Sequence, residues 1–461
     1  MADQNLIQSV NPATEQVIAT FEPMSPKAID QALDKARNGF TVWRNLGFSE
    51  RARVFRQVAL YLREHKSRLA GLVTAEMGKP ILQAEAEVEK CAWNCEFYAD
   101  QAEGFLSKEP HPSDGESYVD FIPLGAVLAI MPWNYPLWQV FRFAAPALMA
   151  GNAAILKHAS NVPQCALAIE ELFRASGLQD GVFQSFLISG SAVNRIIEDP
   201  RIAAVTLTGS DETGSKVAQA AGRAVKKMVL ELGGSDPFIV LDDADIGAAV
   251  ETGVRARYQN TGQSCIAAKR FVIVESVFDD FQQRFVEAVQ RLRVGDPTDR
   301  TIQIGPLARS DLRETVELQV QRSASQGAKL ITGGKRLDGQ GYFLQPTVLA
   351  NVRSPMPAYC EEVFGPVASL IKVRNTEEAI QVANDSPYGL GSNLWTRDLD
   401  RARAIARKIE SGQVFINGMV ASDPRLPFGG IKRSGYGREL SAYGIKEFVN
   451  IQTVWIEPAR T

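Results

Sequence analysis

A thiol sits in a polar, glycine-containing loop at Gln259-Asn-Thr-Gly262-Gln-Ser-Cys265-Ile-Ala-Ala-Lys269-Arg270. A thiol is a soft nucleophile, and the Lys and Arg that follow could lower its pKa. Taken singly, an inert thiol explains the segment as well. Glu231-Leu232-Gly233-Gly234 ends a continuous apolar run. A carboxylate emerging from such a run is a candidate general base with a raised pKa, and two glycines let backbone or ligand come close. A Glu that only ends a strand is the plainer alternative. In Pro132-Trp133-Asn134-Tyr135-Pro136 two prolines fix a turn around an amide. A rigid N–H₂ suits an oxyanion hole, although an Asn between prolines is often just a turn residue. Glu361-Glu362-Val-Phe364-Gly365-Pro366 and Pro427-Phe428-Gly429-Gly430 have the composition of pocket loops and by themselves fix no role.

Other chemistries are poorly served. Gly209-Ser210-Asp-Glu-Thr-Gly214-Ser215-Lys216 resembles a P-loop, but its Lys is displaced by one residue and the Mg²⁺-binding hydroxyl is misplaced. What survives is a strand end followed by a helix start, whose free N–H groups can hold a phosphate. No G-x-G-x-x-G occurs. Cys91 and Cys95 are four apart, but none of the three histidines (His65, His111, His158) stands at ligand spacing beside them, so no metal site is expected. Net charge is −3 with mixed signs, which argues against a nucleic-acid partner. No apolar stretch reaches the ~20 residues of a membrane span, and the polar Met1–Val10 lacks the pattern of a leader. With five cysteines, an odd number, free thiols and a cytoplasmic location are expected.

The elements that must position these groups form two series. Residues 26–107 read as helices over Pro26–Phe40, Ser49–Val73 and Lys79–Leu106. From Gly125, short apolar runs (Ala126–Ile130, Ala153–Leu156, Phe183–Ile188, Ala203–Leu207, Lys227–Glu231) alternate with helical stretches. Runs without polar alternation are strands buried on both faces, hence a parallel sheet with a ligand at its carboxyl ends. A second alternation follows Gly234, with strands expected at Phe238–Leu241, Phe271–Val274, Lys329–Ile331, Val367–Val373 and Val414–Ile416. Ser117–Ile122 and Phe448–Ile456 stand outside both series and need a partner strand. The expected fold is α/β: a Rossmann-like cofactor domain (1–112 and 125–232), a second α/β catalytic domain (233–426), and a small oligomerisation β-element (113–124 and 440–461).

Asn134, Glu231-Leu-Gly-Gly, Gly262-Gln-Ser-Cys265, Glu362-Val-Phe-Gly-Pro and Pro427-Phe-Gly-Gly occur in this order. Together they resemble the aldehyde dehydrogenase superfamily along almost the whole chain. The resemblance implies that Cys265 attacks an aldehyde, and that Asn134 and the Cys265 N–H hold the oxyanion. Hydride then leaves for a nicotinamide, and Glu231 activates water to hydrolyse the thioester. It also implies a cofactor site. The strand end Ile130, Met131, Pro132, Trp133 lines it, Lys157 reaches the adenosine ribose, and Gly209 and Ser210 form the pyrophosphate turn. Glu362 meets the nicotinamide ribose, with Phe364 beside it and Leu232 following the base. His158 and Ala159 flank the ribose site. NAD-preferring relatives carry a Glu three residues after the Lys, and here that position is Ser160. A 2′-phosphate then loses a repulsive neighbour and keeps a cation, so NADP is the expected preference, with NAD possible.

Within the superfamily the chain is most similar to bacterial succinate-semialdehyde dehydrogenases of compact type, through Pro132-Trp-Asn-Tyr-Pro-Leu-Trp138-Gln-Val, Glu231-Leu-Gly-Gly-Ser-Asp-Pro-Phe, Tyr258-Gln-Asn-Thr-Gly-Gln and Phe415-Ile-Asn-Gly. That implies an aldehyde with a far carboxylate, met by Arg142, Trp138 and Ser422; Arg425 is a second candidate. For Arg142 a helix-surface ion pair is the alternative. Glutarate semialdehyde or a broad aliphatic range are alternative substrates. A structural relative without activity is opposed by Asn134, Glu231 and Cys265 occurring together, a coenzyme A-acylating enzyme by Glu231, a base it does not need, and a Cys–His hydrolase by the absence of a histidine near Cys265 in sequence. A homodimer or dimer of dimers is expected.

Overall fold

The computed structural model describes residues 6–112 and 116–457. Residues 1–5 of the segment read for a leader, and 113–115 and 458–461 of the expected oligomerisation segments, lie outside the described residues.

The first apolar series forms a parallel sheet. Its strands are β1 (Ala126–Met131), β2 (Ala153–His158), β3 (Phe183–Ser185), β4 (Ile202–Thr208) and β5 (Lys227–Glu231). All six residues of β1 are buried, as a strand covered by helices on both faces must be. The spatial order is β3-β2-β1-β4-β5, and the order reverses beside β1, which opens a crevice at the carboxyl ends. The short strand Gly435–Tyr436 adds antiparallel to β5, so the late chain returns to the end of the strand that carries Glu231. Helix α1 (Ile81–Phe105) packs on α2 (Trp138–Met149), and every residue of α2 is buried.

The second series comprises β6 (Asp236–Val240), β7 (Ala268–Val274), β8 (Lys329–Thr332), β9 (Thr347–Ala350), β10 (Val367–Val373), β11 (Gly391–Trp395) and β12 (Gln413–Ile416), in the order β8-β9-β10-β7-β6-β11-β12. Only β8 runs antiparallel. The strands β9 and β11 fall outside the sequence expectation. β11 reads Gly-Ser-Asn-Leu-Trp, too polar for an apolar run, yet all five residues are buried. Two of its polar groups find partners: Ser392 donates to the Gln413 carbonyl at 3.1 Å, and Asn393 Oδ1 accepts from Val420 N–H at 3.0 Å. The expected helix Ser49–Val73 is two, Phe48–Glu64 and Lys66–Met77, joined at His65, and no Pro or Gly marks the joint.

The two strands outside both series pair with each other. Val449–Ile456 lies antiparallel to Glu116–Pro123, and Glu109–His111 completes a three-stranded sheet. That sheet therefore begins before residue 113.

Candidate active site

Both sheets end at one cavity. It encloses roughly 240 Å³ and is lined by Cys265, Trp138, Gln139, Arg142, Lys90, Ser422 and Phe428, among others. The Cys265 loop that forms one end is held by unusual backbone. Asn260 and Thr261 adopt left-handed φ of 54° and 56°, and Gly262 follows at 73°. Two adjacent non-glycine residues in that region are costly and persist only where surroundings enforce them. Here the buried Asn260 amide donates to the carbonyls of Asn134 (2.8 Å) and Gln263 (2.9 Å). Gly262 lies so close to the Gly365 backbone that no side chain would fit.

The separate motifs meet through this loop. Asn134 donates from Nδ2 to the Gln263 carbonyl at 3.2 Å, so its amide rests two residues from the thiol. Lys269 donates to the carbonyls of Ser264 (2.9 Å) and Cys265 (2.8 Å), and its Nζ lies 3.2 Å from Glu362. Glu362 accepts from Gly234 N–H at 3.0 Å. A Cβ on Gly234 would stand 2.6 Å from the Cys265 carbonyl oxygen, and one on Gly233 2.6 Å from Glu362, which is why this turn needs two glycines. Phe364 meets Trp133 edge to face at 5.7 Å.

The electrostatics depart from the sequence expectation. Lys269 and Arg142 do pull the Cys265 thiol pKa down, but burial outweighs them and pushes it up to about 12. Arg270 takes no part, because its guanidinium is spent on the carbonyls of Ser235, Val382 and Ala383. Glu231 is 2 % exposed, and neither of its carboxyl oxygens accepts a hydrogen bond among the described residues. Burial, then repulsion from Glu439, raises its pKa well above the carboxylate range, against the pull of Arg142 and Arg438. Asn134 and Glu231 touch the machinery from behind and do not line the open cavity.

Arg142 forms an ion pair, but a buried one rather than a pair on the helix surface. It pairs with Glu439, stacks 4.3 Å from the Phe428 ring and donates to Thr208 at 3.3 Å. Ser422 is buried and accepts from Trp138 Nε1 at 2.9 Å. Arg425 lies outside the cavity, exposed and paired with Asp423 at 2.6 Å.

The expected cofactor residues gather at the carboxyl ends of β1, β2, β4 and β5. Ile130 is in register with Lys157 across β1 and β2. Lys157 forms no ion pair among the described residues, and burial lowers its pKa. Ala159 donates its N–H to the Met131 carbonyl at 2.9 Å, and Ser160 is exposed. Gly209 donates to the Glu231 carbonyl at 3.0 Å. Ser210 caps the helix α3 (Asp211–Arg223) by accepting from Thr213 N–H. Four side chains face inward instead. Ile130, Met131 and Leu232 belong to the core. The His158 ring is buried between the carbonyls of Met131 and Pro136, with Nε2 2.8 Å from the latter, and Ala159 N–H donates to its Nδ1 at 2.9 Å. That pattern fits a neutral ring protonated on Nε2, and burial lowers its pKa to about 4. His158 braces the turn that carries Asn134 and does not present itself to a ligand.

Four neighbours of the site carry no sequence signal. Glu87 accepts from the N–H groups of Leu137 and Trp138, both at 2.9 Å, and pairs with buried Lys79, whose ammonium lies 3.6 Å from the Tyr135 ring centroid. Lys90 and Glu439 are the others. The first three lie on or beside a helix that reads as ordinary, and Glu439 is nearly three hundred positions from the Arg142 it pairs with.

Comparison with known proteins agrees with this geometry. The model of the aldehyde dehydrogenase family matches residues 1–454. A Synechocystis sp. protein named "Probable succinate-semialdehyde dehydrogenase [NADP(+)]" is 52 % identical over 98 % of this chain and 99 % of its own length. "Succinate-semialdehyde dehydrogenase [NADP(+)] 1" of Mycobacterium tuberculosis is 50 % identical over 98 % of this chain and 99 % of its own. The crystal structure of succinic semialdehyde dehydrogenase from Streptococcus pyogenes, in complex with NADP+ as the cofactor, superposes with a TM-score of 0.96 at 39 % identity, covering 98 % of this chain and all of that one. From the cavity, the motifs that converge on it and these matches over nearly the full length, the chain belongs to the aldehyde dehydrogenase family.

Proposed function

We propose that this chain oxidises succinate semialdehyde to succinate, with NADP as the hydride acceptor, through a thioester on Cys265. The observation that carries the reading is one cavity lined by Cys265 together with Trp138, Ser422 and two cations, Arg142 and Lys90. An aldehyde that also carries a carboxylate matches a thiol and cations in one cavity. The names of the relatives support the same substrate and cofactor.

Cys265 adds to the aldehyde carbon, and the Asn134 amide and Cys265 N–H steady the oxyanion. The thiol must give up its proton as it attacks, because burial keeps it protonated at rest. Glu231 is the acceptor in this reading: its raised proton affinity strengthens it as a base, first for the thiol and, once that proton has passed to solvent, for the water that cleaves the thioester. NADP, when bound, supplies the carbon that accepts the hydride. The residues fit it: Lys157 is a desolvated cation without an ion pair among the described residues, and Ser160 places no carboxylate beside it. Lys157, Ser160, Gly209 and Ser210 would hold the phosphates and adenosine ribose, with Glu362 and Phe364 at the nicotinamide end. In this reading residues 1–112 and 125–232 bind the cofactor and 233–426 carry the catalytic loop.

The three-stranded sheet is the proposed contact of a homodimer or dimer of dimers, supported by Ile451, Trp455 and Ile456 exposed on one of its strands. A cytoplasmic location is supported by five free cysteines.

The test is kcat/KM for a panel of aldehydes with each cofactor. Succinate semialdehyde with NADP should rank first. Equal values for butanal, or an NAD advantage of about tenfold or more, would overturn the substrate or the cofactor respectively.

A further inference from the structure

A lysine stands in a fully buried strand of the second sheet. Lys269 is the second residue of β7, which lies between β10 and β6, and all seven residues of β7 are buried. Burying an ammonium is costly, and a neutral donor would meet carbonyls without that cost. Lys269 Nζ has an acceptor for each of its three protons: the Ser264 carbonyl at 2.9 Å, the Cys265 carbonyl at 2.8 Å and a Glu362 oxygen at 3.2 Å.

The first of these bonds acts on the peptide that carries the proposed oxyanion donor. Ser264 C=O and Cys265 N–H belong to one planar trans peptide, so they point in opposite directions. The Ser264 oxygen also accepts from Ala267 N–H at 3.2 Å. Lys269 and Ala267 together fill its two acceptor positions, and the peptide plane cannot turn without breaking one of the two bonds. At the other end of the plane, Cys265 N–H donates to no protein group among the described residues. A free donor on a peptide whose oxygen is held twice is a donor fixed in direction. Charge adds to direction: a cation on the carbonyl draws electron density toward oxygen and leaves the N–H more positive.

We propose that Lys269 is a positioning residue of the oxyanion hole, which aims and polarises the Cys265 N–H through the Ser264 carbonyl and touches no reacting atom itself. The inference rests on the reading of Cys265 as a nucleophile that forms a tetrahedral oxyanion. Glu362 then has a second task beside its place at the nicotinamide end, as the countercharge of a buried ammonium.

The experiment compares two reactions of the same sulfur, one that builds an oxyanion and one that does not. With enzyme in excess and no cofactor, p-nitrophenyl acetate acylates Cys265. The sulfur adds to the ester carbonyl, its proton passes to the base, and the oxyanion collapses to a thioester as p-nitrophenolate leaves and is read by absorbance. Iodoacetamide alkylates the sulfur by displacing iodide from a saturated carbon, and this is followed on the Cys265 peptide by mass spectrometry. The ratio of the acylation rate to the alkylation rate cancels the ionisation of the thiol, to which Lys269 also contributes. A loosened loop would change both rates together.

Lys269→Met should lower the ratio roughly tenfold to a hundredfold, in the same direction as Asn134→Ala. Glu362→Gln leaves Lys269 on the two carbonyls, so without cofactor it should keep the ratio at or above the wild-type value, even where the melting temperature shows that Lys269→Met fails to fold. A folded Lys269→Met with the wild-type ratio would reduce Lys269 to a brace of the loop and overturn the proposal. A tenfold fall in Glu362→Gln would overturn it as well, because the ion pair as a whole, and not the bond to Ser264, would then set the rate. Release of p-nitrophenolate that survives Cys265→Ala would defeat the reading of the nucleophile instead.

Discussion

Two buried acid–cation pairs flank the turn that carries Asn134, and they are finished differently. Lys79 and Glu87 are 1 % and 4 % exposed, and the Glu87 carboxylate takes Lys79 and two backbone N–H groups at the start of α2. Everything it can accept is supplied, and the turn is locked. Arg142 and Glu439 are equally buried, at 2 % and 3 %, yet the second acid, Glu231, lies close by with no hydrogen bond among the described residues. Buried acids without partners are expensive, and a fold keeps them where protons must move. The satisfied pair builds the site, and the unsatisfied cluster is positioned to operate it.

The sharpest way to break that contrast is Glu231→Gln. It should lower kcat by about 10²- to 10⁴-fold while the melting temperature holds or rises. A variant that loses activity because it unfolds would make Glu231 a structural residue. Glu87→Gln should do the opposite, costing about 3–5 kcal/mol of stability in urea titration, because it leaves a buried ammonium unpaired. Lys79→Met combined with Glu87→Gln should recover part of that loss, since replacing both partners removes the isolated charge.

A smaller effect is expected in the pH dependence of stability. Glu231 and Glu439 hold their protons more tightly in the folded protein than the ordinary carboxyl value of 4.5. Between that value and their raised folded values the unfolded chain binds fewer protons, so stability falls as pH rises through the window. Chemical denaturation from pH 4.5 upward should show this decline in the wild type and a shallower one in Glu231→Gln. The smallest effect is reserved for Thr208→Val, which removes a long 3.3 Å hydrogen bond to Arg142. It should cost about 1 kcal/mol or less and leave kcat unchanged; a large loss of rate would mean that Glu439 alone does not hold the guanidinium.

The same contrast explains what the sequence could disclose. The strands β1, β2, β4 and β5 carry apolar runs because both faces are covered there, and such runs announce themselves. β11 does not, since the partners of Ser392 and of the Asn393 carbonyl oxygen lie outside the strand, at Gln413 and Val420. The Cys265 loop, the Glu231 turn and Asn134 are legible because close backbone approach demands glycine and proline at set places. Arg142 is legible as a candidate from the resemblance, but its partner Glu439 is not, because an ion pair leaves no mark on local pattern. Glu87, Lys79 and Lys90 are hidden for a related reason: polar residues on an amphipathic helix look like its wet face until α2 is packed against them. His158 misled in the other direction, a polar ring beside Lys157 that serves the backbone of a neighbouring turn.

One consequence of the cavity concerns wear rather than turnover. Burial raises the pKa of the Cys265 thiol, so the sulfur stays protonated at rest at neutral pH. Peroxide and electrophilic metabolites consume thiolates, so between turnovers this sulfur is a poor target despite opening onto solvent-accessible space. Cys360 is exposed and meets such reagents first. The burial that makes the nucleophile hard to activate also gives the resting protein a long chemical life.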